Sequence, residues 1–363
     1  MKTPSGPQPS CSNTGEGSAF LRGNKKYWIG IGVSIILLAY FLYTVEIGRM
    51  LDALAGANYW YIFPAVAMYF ISVYFRSMRW SVMLRHLKPV STRRLFPVVV
   101  VGYMANNILP MRLGEIVRSY YLSEREGVSA TSALVTVFVE RIFDALALLF
   151  FIALITPFVP VAGLVEDFGE RWGLPPSLLM LGLTLPFIGA FCVLVLLSAY
   201  PDQTRSLALR LLGRFPERLT SILDGLLTRA LDGIAPLRSP RTLAALFGLS
   251  IPIWLTEVAV FWLMGYSFGI EAYHDGTVLM GVNMTLVTAI TNIGGSIPAA
   301  PGGLGLFELI AREILVLGPL ASVDRSVAGG YVIALHAVIL LPVIVLGQII
   351  LWTSHLSLRR LSR

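Results

Sequence analysis

Six stretches of this chain stay apolar for about the length of a bilayer crossing: Tyr27–Tyr43, Tyr59–Phe75, Val128–Pro157, Leu178–Ala199, Leu243–Phe268 and Val327–Trp352. A helix needs about 20 mostly apolar residues to cross the ~30 Å hydrocarbon core. Only 13% of the 363 residues are charged and 56% are hydrophobic. A soluble domain carries roughly twice that share of charge. Too little polar surface remains to cover a water-facing globule, so the expected fold is an all-α polytopic membrane protein.

Four more apolar segments are interrupted by Pro and Gly: Leu95–Leu109, Ile116–Leu122, Val278–Ile297 and Leu304–Leu317. Loop charge decides how they are threaded, because basic residues in short loops stay cytoplasmic. Residues 76–94 hold Arg76, Arg79, Arg85, Lys88, Arg93 and Arg94 without an acid. Residues 200–241 hold seven Arg against four acids. Arg22, Lys25 and Lys26 precede the first span, and Arg359, Arg360 and Arg363 follow the last. These four regions are assigned to the cytoplasm, with both termini. The loops around Glu46, around Glu166 to Glu170 and around Glu271 and Asp275 are assigned outside.

With those sides fixed, an even number of crossings lies in 95–123 and again in 278–318. The first segment reads as a re-entrant hairpin from inside, broken at Pro110. The second reads as one from outside, broken around Pro298–Gly305. Six full spans plus two opposed hairpins result; full crossing by the hairpins would give eight to ten spans. The halves, about 25–160 and 176–355, then share one element order in opposite orientation, an inverted repeat. Residues 1–24, rich in Ser, Gly and Pro, form an expected disordered tail; 25–355 form one transmembrane domain and 356–363 a basic tail. Cys11 and Cys192 imply no disulfide framework.

Inverted repeats with broken helices are a transporter device, with the substrate site where the breaks meet. Helix ends restarting after a break would aim N–H groups at an anion. A charge within a span costs at least ~2.5–3.5 kcal/mol, so such residues are functional candidates. They are Arg112, Glu115 and Arg118; Glu140, Arg141 and Asp144; Glu257; Glu308 and Arg312; and His336. Glu115–Arg118 and Glu308–Arg312 have the spacing of helical ion pairs. Arg76 and Arg79 are expected at the headgroups, as anchors of the second span. There is no P-loop, no HExxH, no Cys/His cluster with metal spacing and no Rossmann context for "PGGLG". No cofactor, metal or nucleic acid is expected.

At "GYMANNILPMRLGEIVRSYYL", "VERIFD" and "IPAAPGGLGLFE", the chain resembles the transmembrane region of lysylphosphatidylglycerol synthases, a flippase-like membrane family, over roughly 25–355. That resemblance carries family positions onto Asn107, Pro110, Arg112, Gly114, Glu115 and Arg118. It also covers Glu140, Arg141 and Asp144, and then Pro298, Pro301, Gly302, Gly303, Gly305 and Glu308. Members often have Arg where His336 stands. The family's soluble aminoacyltransferase part is missing from this chain, so aminoacyl transfer by it alone is not expected.

The reading that follows is a lipid flippase in the cytoplasmic membrane of a prokaryote, not an enzyme. Asn107, Arg112, Glu115, Arg118, Glu140, Arg141, Asp144, Glu308 and His336 would bind the headgroup of an anionic or aminoacylated phospholipid, or of a polyprenyl-phosphate carrier. The prolines and glycines would shape the breaks. Other readings are an intramembrane headgroup transferase and a non-catalytic partner of a lipid-synthesis enzyme; a homo-oligomer fits as well.

Overall fold

A computed structural model describes residues 25–109, 112–159, 173, 175–212, 216–295, 301–318 and 320–354. Both tails, most of the acidic loop 158–176, Pro110 and Pro298 lie outside the described residues. Thirteen α-helices, and no strand, are found among those described. They are α1 (Lys25–Tyr43), α2 (Ile47–Gly56), α3 (Ile62–Leu84), α4 (Thr92–Ile108), α5 (Gly114–Glu126), α6 (Ala130–Ile155) and α7 (Pro176–Ala199). After them come α8 (Pro201–Leu212), α9 (Glu217–Ile234), α10 (Pro240–Ser267), α11 (Thr277–Gly294), α12 (Leu306–Leu317) and α13 (Arg325–Thr353). The chain is an all-α polytopic membrane protein.

Four segments are each long and apolar enough to cross a bilayer: Tyr59–Leu84, Pro240–Ser267, Thr277–Gly294 and Arg325–Thr353. The bent pair Thr184–Ala199 with Pro201–Leu211, turned by 98°, would make a fifth. Helix α6 matches them in length but carries Glu140, Arg141 and Asp144. Large apolar side chains such as Ile36, Leu185 and Leu341 stand exposed on these surfaces, where lipid replaces water as solvent.

Two boundaries differ from the sequence reading. The second span does not stop at Phe75; helix α3 continues to Leu84, with Arg76 and Arg79 inside it. The segment expected as a poor half-span from Val278 is a continuous 18-residue helix, α11, that meets the length of a crossing by itself. Its partner α12 has 12 residues, ~18 Å at 1.5 Å per residue, too short to cross.

Signals local in sequence set the helix ends. Ser129 and Ser239 accept N–H bonds at the starts of α6 and α10, and Asp324 accepts two at the start of α13, each satisfying an orphan donor. Gly127 in left-handed conformation closes α5.

Helices α3 and α10 form the central pair. The Asn58 N–H donates to the Ser267 carbonyl at 2.8 Å, and Ser72 Oγ donates to Glu257 Oε1 at 3.0 Å. Around them the packing is reciprocal. Helix α3 packs on α4 as α10 packs on α11. Helix α5 packs on α6 as α12 packs on α13. Helix α4 crosses to α13 while α11 crosses to α6. One continuous apolar core runs through both halves.

On one side, α8 and α9 leave the spans and are tied by a two-pronged Arg205–Asp224 ion pair, both contacts 2.7 Å. Short α2 lies against Gly329 and Gly330 of α13, where the absence of side chains lets Met50 approach.

Candidate functional site

The first break follows Leu109, and Arg112, just beyond it, has φ 56. That left-handed backbone is uncommon for a residue with a side chain and marks stored strain. The second break begins at Gly295 and is described again from Pro301; Gly302, Gly303 and Gly305 all have positive φ. A Cβ there would strain the chain, so glycine is what permits the path.

The two breaks meet. Arg112 Nη2 donates to the Gly295 carbonyl at 2.6 Å, at the end of α11, where carbonyls lack helical partners. Between the breaks and the α3–α10 pair lies a cavity of about 210 Å³. Asn107, Arg112, Arg141, Gly302, Gly303 and His336 line it, and all were expected at the site from sequence. Arg141 of α6 and His336 of α13 thus share one cavity.

Arg76 also lines it, which corrects the expectation of a headgroup anchor. Arg76 and Arg79 are 6% and 0% exposed. Arg76 reaches Asp144 at 3.4 Å and Glu257 at 3.2 Å; Arg79 reaches Asp144 at 2.8 Å and Ser250 Oγ at 2.7 Å. Arg141 reaches the same Asp144 at 3.1 Å. Three guanidinium groups therefore converge on one carboxylate, and only Arg76 has a second acid, Glu257. Arg76 further lies 5.0 Å from the Trp254 ring centre, a cation–π distance.

The expected helical ion pairs do not form. Arg118 turns from Glu115 to Glu140, with contacts of 2.7 and 3.2 Å, and stacks 3.7 Å from the Trp80 ring. Both partners are buried, so the fork-like pair is closed and leaves Arg118 few donors for a ligand. Glu115 faces Arg112 at 4.0 Å. Glu115 and Arg118 line a much smaller space behind the cavity. Replacing Arg118 by Lys keeps the charge but loses the fork and the stack. The expected cost is ~1–3 kcal/mol of stability, read as a lower unfolding midpoint in detergent.

Glu308 likewise turns away from Arg312. Its Oε2 accepts the Gly305 N–H at 2.7 Å, and its Oε1 lies 2.6 Å from His336 Nδ1. His336 Nε2 lies 3.0 Å from the Gly302 carbonyl, and the ring stacks on Phe307. Arg312 instead pairs with Glu313 at 2.6 Å and donates to the Phe41 carbonyl at 2.9 Å, tying α12 to α1. The expectation of bare helix ends is corrected too. Both restarted helices carry an acid in their first turn, Glu115 and Glu308, which offsets the positive end.

Sequence reasoning named Glu257 as a buried charge but tied it to nothing, and it missed Tyr69, Tyr103, Asn106, Trp254 and Thr291, all lining the cavity. One signal was available: Tyr69, Ser72, Arg76 and Arg79 fall on one face of α3 at helical spacing.

Fold and cavity define a multi-pass membrane protein whose arginine-rich chamber is enclosed by two broken helix pairs. The chain belongs to the family of the lysylphosphatidylglycerol synthase transmembrane region, whose model matches residues 27–347. Among relatives, a UPF0104 membrane protein of Methanothermobacter thermautotrophicus is 27% identical over 82% of this chain and 86% of its own length. The glycosyltransferase AglD of Haloferax volcanii is 22% identical over 85% of this chain; the match spans about half of AglD, 51%. A UPF0104 membrane protein of Methanocaldococcus jannaschii is 24% identical over 68% of this chain and 92% of its own.

Proposed function

We propose that this protein translocates lipids bearing a phosphate headgroup across the cytoplasmic membrane, with both termini on the cytoplasmic side. The observation that carries the reading is the convergence of Arg76, Arg79 and Arg141 on Asp144, beside a cavity that Arg112 spans from break to break. Buried charge of this density is costly unless it serves a ligand. A phosphate is the natural partner of forked guanidinium donors. The reciprocal packing of the halves suits alternating exposure of a midplane site, and family membership favours a lipid over a soluble anion.

The test is reconstitution in liposomes with tail-labelled phospholipids and a membrane-impermeant quencher. Wild type should raise the transfer rate above protein-free vesicles. Arg112→Ala and Arg141→Ala should each lower it about tenfold or more, the worth of one charge-assisted hydrogen bond at ~1.5–3 kcal/mol. Equal rates for wild type, the variants and empty vesicles would end the proposal.

A second reading has one observation behind it, the name of AglD as a glycosyltransferase. Headgroup transfer, with Asp144 or Glu140 as base, would require product formation by the purified protein from a glycosyl donor and a lipid phosphate. Both carboxylates are engaged in ion pairs with arginine, an arrangement that favours translocation over headgroup chemistry.

A further inference from the structure

We propose that helices α8 and α9 form an arm that lies in the headgroup layer of the cytoplasmic leaflet and binds anionic lipids there. The arm is separate from the cavity, and its role stands whether or not the chain moves lipids.

The placement of the arm follows from α7. Leu185, Ile188, Val193 and Leu196 stand exposed along that helix, a surface for acyl chains to cover. The chain then turns by 98° into α8. A helix that follows a span at nearly a right angle runs along the membrane plane and not out into water. Exposed Tyr200 marks the corner, as aromatic rings do at bilayer interfaces. The far end of the arm returns to the same level. Arg238 Nε, just after α9, donates to the Ser198 carbonyl of α7 at 2.7 Å, and Ser198 Oγ donates to the Ile234 carbonyl of α9 at 2.9 Å. A Cβ on Gly233 would lie 2.8 Å from Val135, so α9 also closes tightly on α6. Both ends of the arm are thus fixed where α7 leaves the bilayer. Residues 200–241 hold seven Arg against four acids, which assigns that side to the cytoplasm.

The exposed face of the arm has both ingredients of an interfacial helix. On α8, Leu207 and Leu211 are 59% and 68% exposed; four residues apart, they share a face. On α9, Leu219, Ile222 and Leu226 are exposed at helical spacing. The two helices are tied by Arg205 and Asp224, and these five apolar side chains stay outside that tie. Exposed Arg210, Arg218 and Arg229 border the apolar stripes. The exposed acids Asp202 and Asp232 are turned away from them at helical spacing. An apolar stripe edged by arginine settles at the acyl boundary, with its cations among the phosphates. Each arginine near an anionic surface strengthens binding by about fivefold. Along the chain the stripe follows directly on the acyl-facing side of α7, so the same bilayer is its nearest apolar partner.

The experiment uses the full chain with Cys11→Ser, Cys192→Ser and Gln203→Cys. Gln203 is exposed and shares the face of Leu207; its replacement takes a polarity-sensitive dye. The protein is placed in nanodiscs of phosphatidylcholine alone, or with about one third phosphatidylglycerol to give an anionic surface. Acrylamide, an uncharged quencher, reports how open the dye is to water. Phosphatidylglycerol should shift the emission to the blue and raise the ratio of shielded to open dye about tenfold. Salt near ~1 M, where the Debye length is ~3 Å, should remove most of that gain. Arg210→Gln, Arg218→Gln and Arg229→Gln together should abolish the difference between the two lipids. Leu207→Ser with Leu211→Ser should open the dye to acrylamide in both discs. All five side chains are exposed, so unfolding midpoints should stay within a few degrees of wild type. A dye equally open in both discs overturns the proposal and gives the stripe to a protein partner. Equal shielding in both discs, unchanged by the three arginine replacements, overturns the anionic preference.

Discussion

Asp144→Ala protein should fail to reach a stable fold, or should unfold on the order of 10 °C below wild type in detergent. Asp144 is 5% exposed and takes contacts from Arg76, Arg79 and Arg141 at 3.4, 2.8 and 3.1 Å. Removing one member of a buried ion pair costs ~3–5 kcal/mol, because the partner stays buried and uncompensated. Here Arg79 on α3 and Arg141 on α6 would be stranded while Arg76 keeps Glu257, and Arg79, with no exposure at all, has no route to water. Asp144→Asn keeps the volume and one acceptor and should recover part of the loss. An unfolding midpoint for Asp144→Ala within a few degrees of wild type would show that the arginines find other partners. The triple convergence would then contribute little to the fold.

Gly114→Ala should separate α4 from α5. A Cβ on Gly114 would lie 2.3 Å from the Gly102 carbonyl oxygen and 2.4 Å from the Asn106 amide nitrogen. Both are backbone atoms of α4, so no rotamer change relieves the clash, and the helix pair must move bodily. Overpacking of this kind costs ~1–3 kcal/mol or more. It also displaces Arg112 from Gly295 and Asn106 from the cavity wall, so transfer should fall along with stability. Gly248→Ala is the matched control, since nothing lies within 4 Å of its added Cβ on α10. In a helix interior that change should be neutral or mildly stabilising. Proteolysis rates of the two variants in detergent separate the outcomes. Equal resistance would mean that the first hairpin tolerates a wider spacing than its geometry implies.

Much of the fold was legible because bilayer crossing is a length-and-polarity problem. Spans beginning near Val128, Leu178, Leu243 and Val327 appear as α6, α7, α10 and α13 within a few residues. The breaks were legible from Pro and Gly inside apolar runs, and Arg112, Arg141 and His336 from charge or imidazole at depth. The extension of α3 was not. Two arginines after Phe75 look like a loop when the only rule applied is that cations sit at interfaces; the acids of Arg76 are 68 and 181 residues away in the sequence.

The same reason explains the mistaken ion pairs. Glu115–Arg118 and Glu308–Arg312 satisfy a spacing rule for isolated helices, where such a pair contributes only ~0.2–0.5 kcal/mol. Inside a packed bundle a closer carboxylate on a neighbouring helix wins. Arg118 gains a forked contact with Glu140 and the face of Trp80; Glu308 gains the Gly305 N–H and His336.

The sequence by itself determined that the chain lives in a membrane, where its helices run and break, and which residues carry charge into the apolar layer. Each of those follows from the cost of exposing a residue to hydrocarbon, a property of short windows. Only the tertiary structure decided which charges neutralise one another and which are left over. Buried ion pairing depends on ångström distances between helices far apart in sequence, as where Asp144 of α6 meets Arg76 and Arg79 of α3, and Arg76 in turn meets Glu257 of α10.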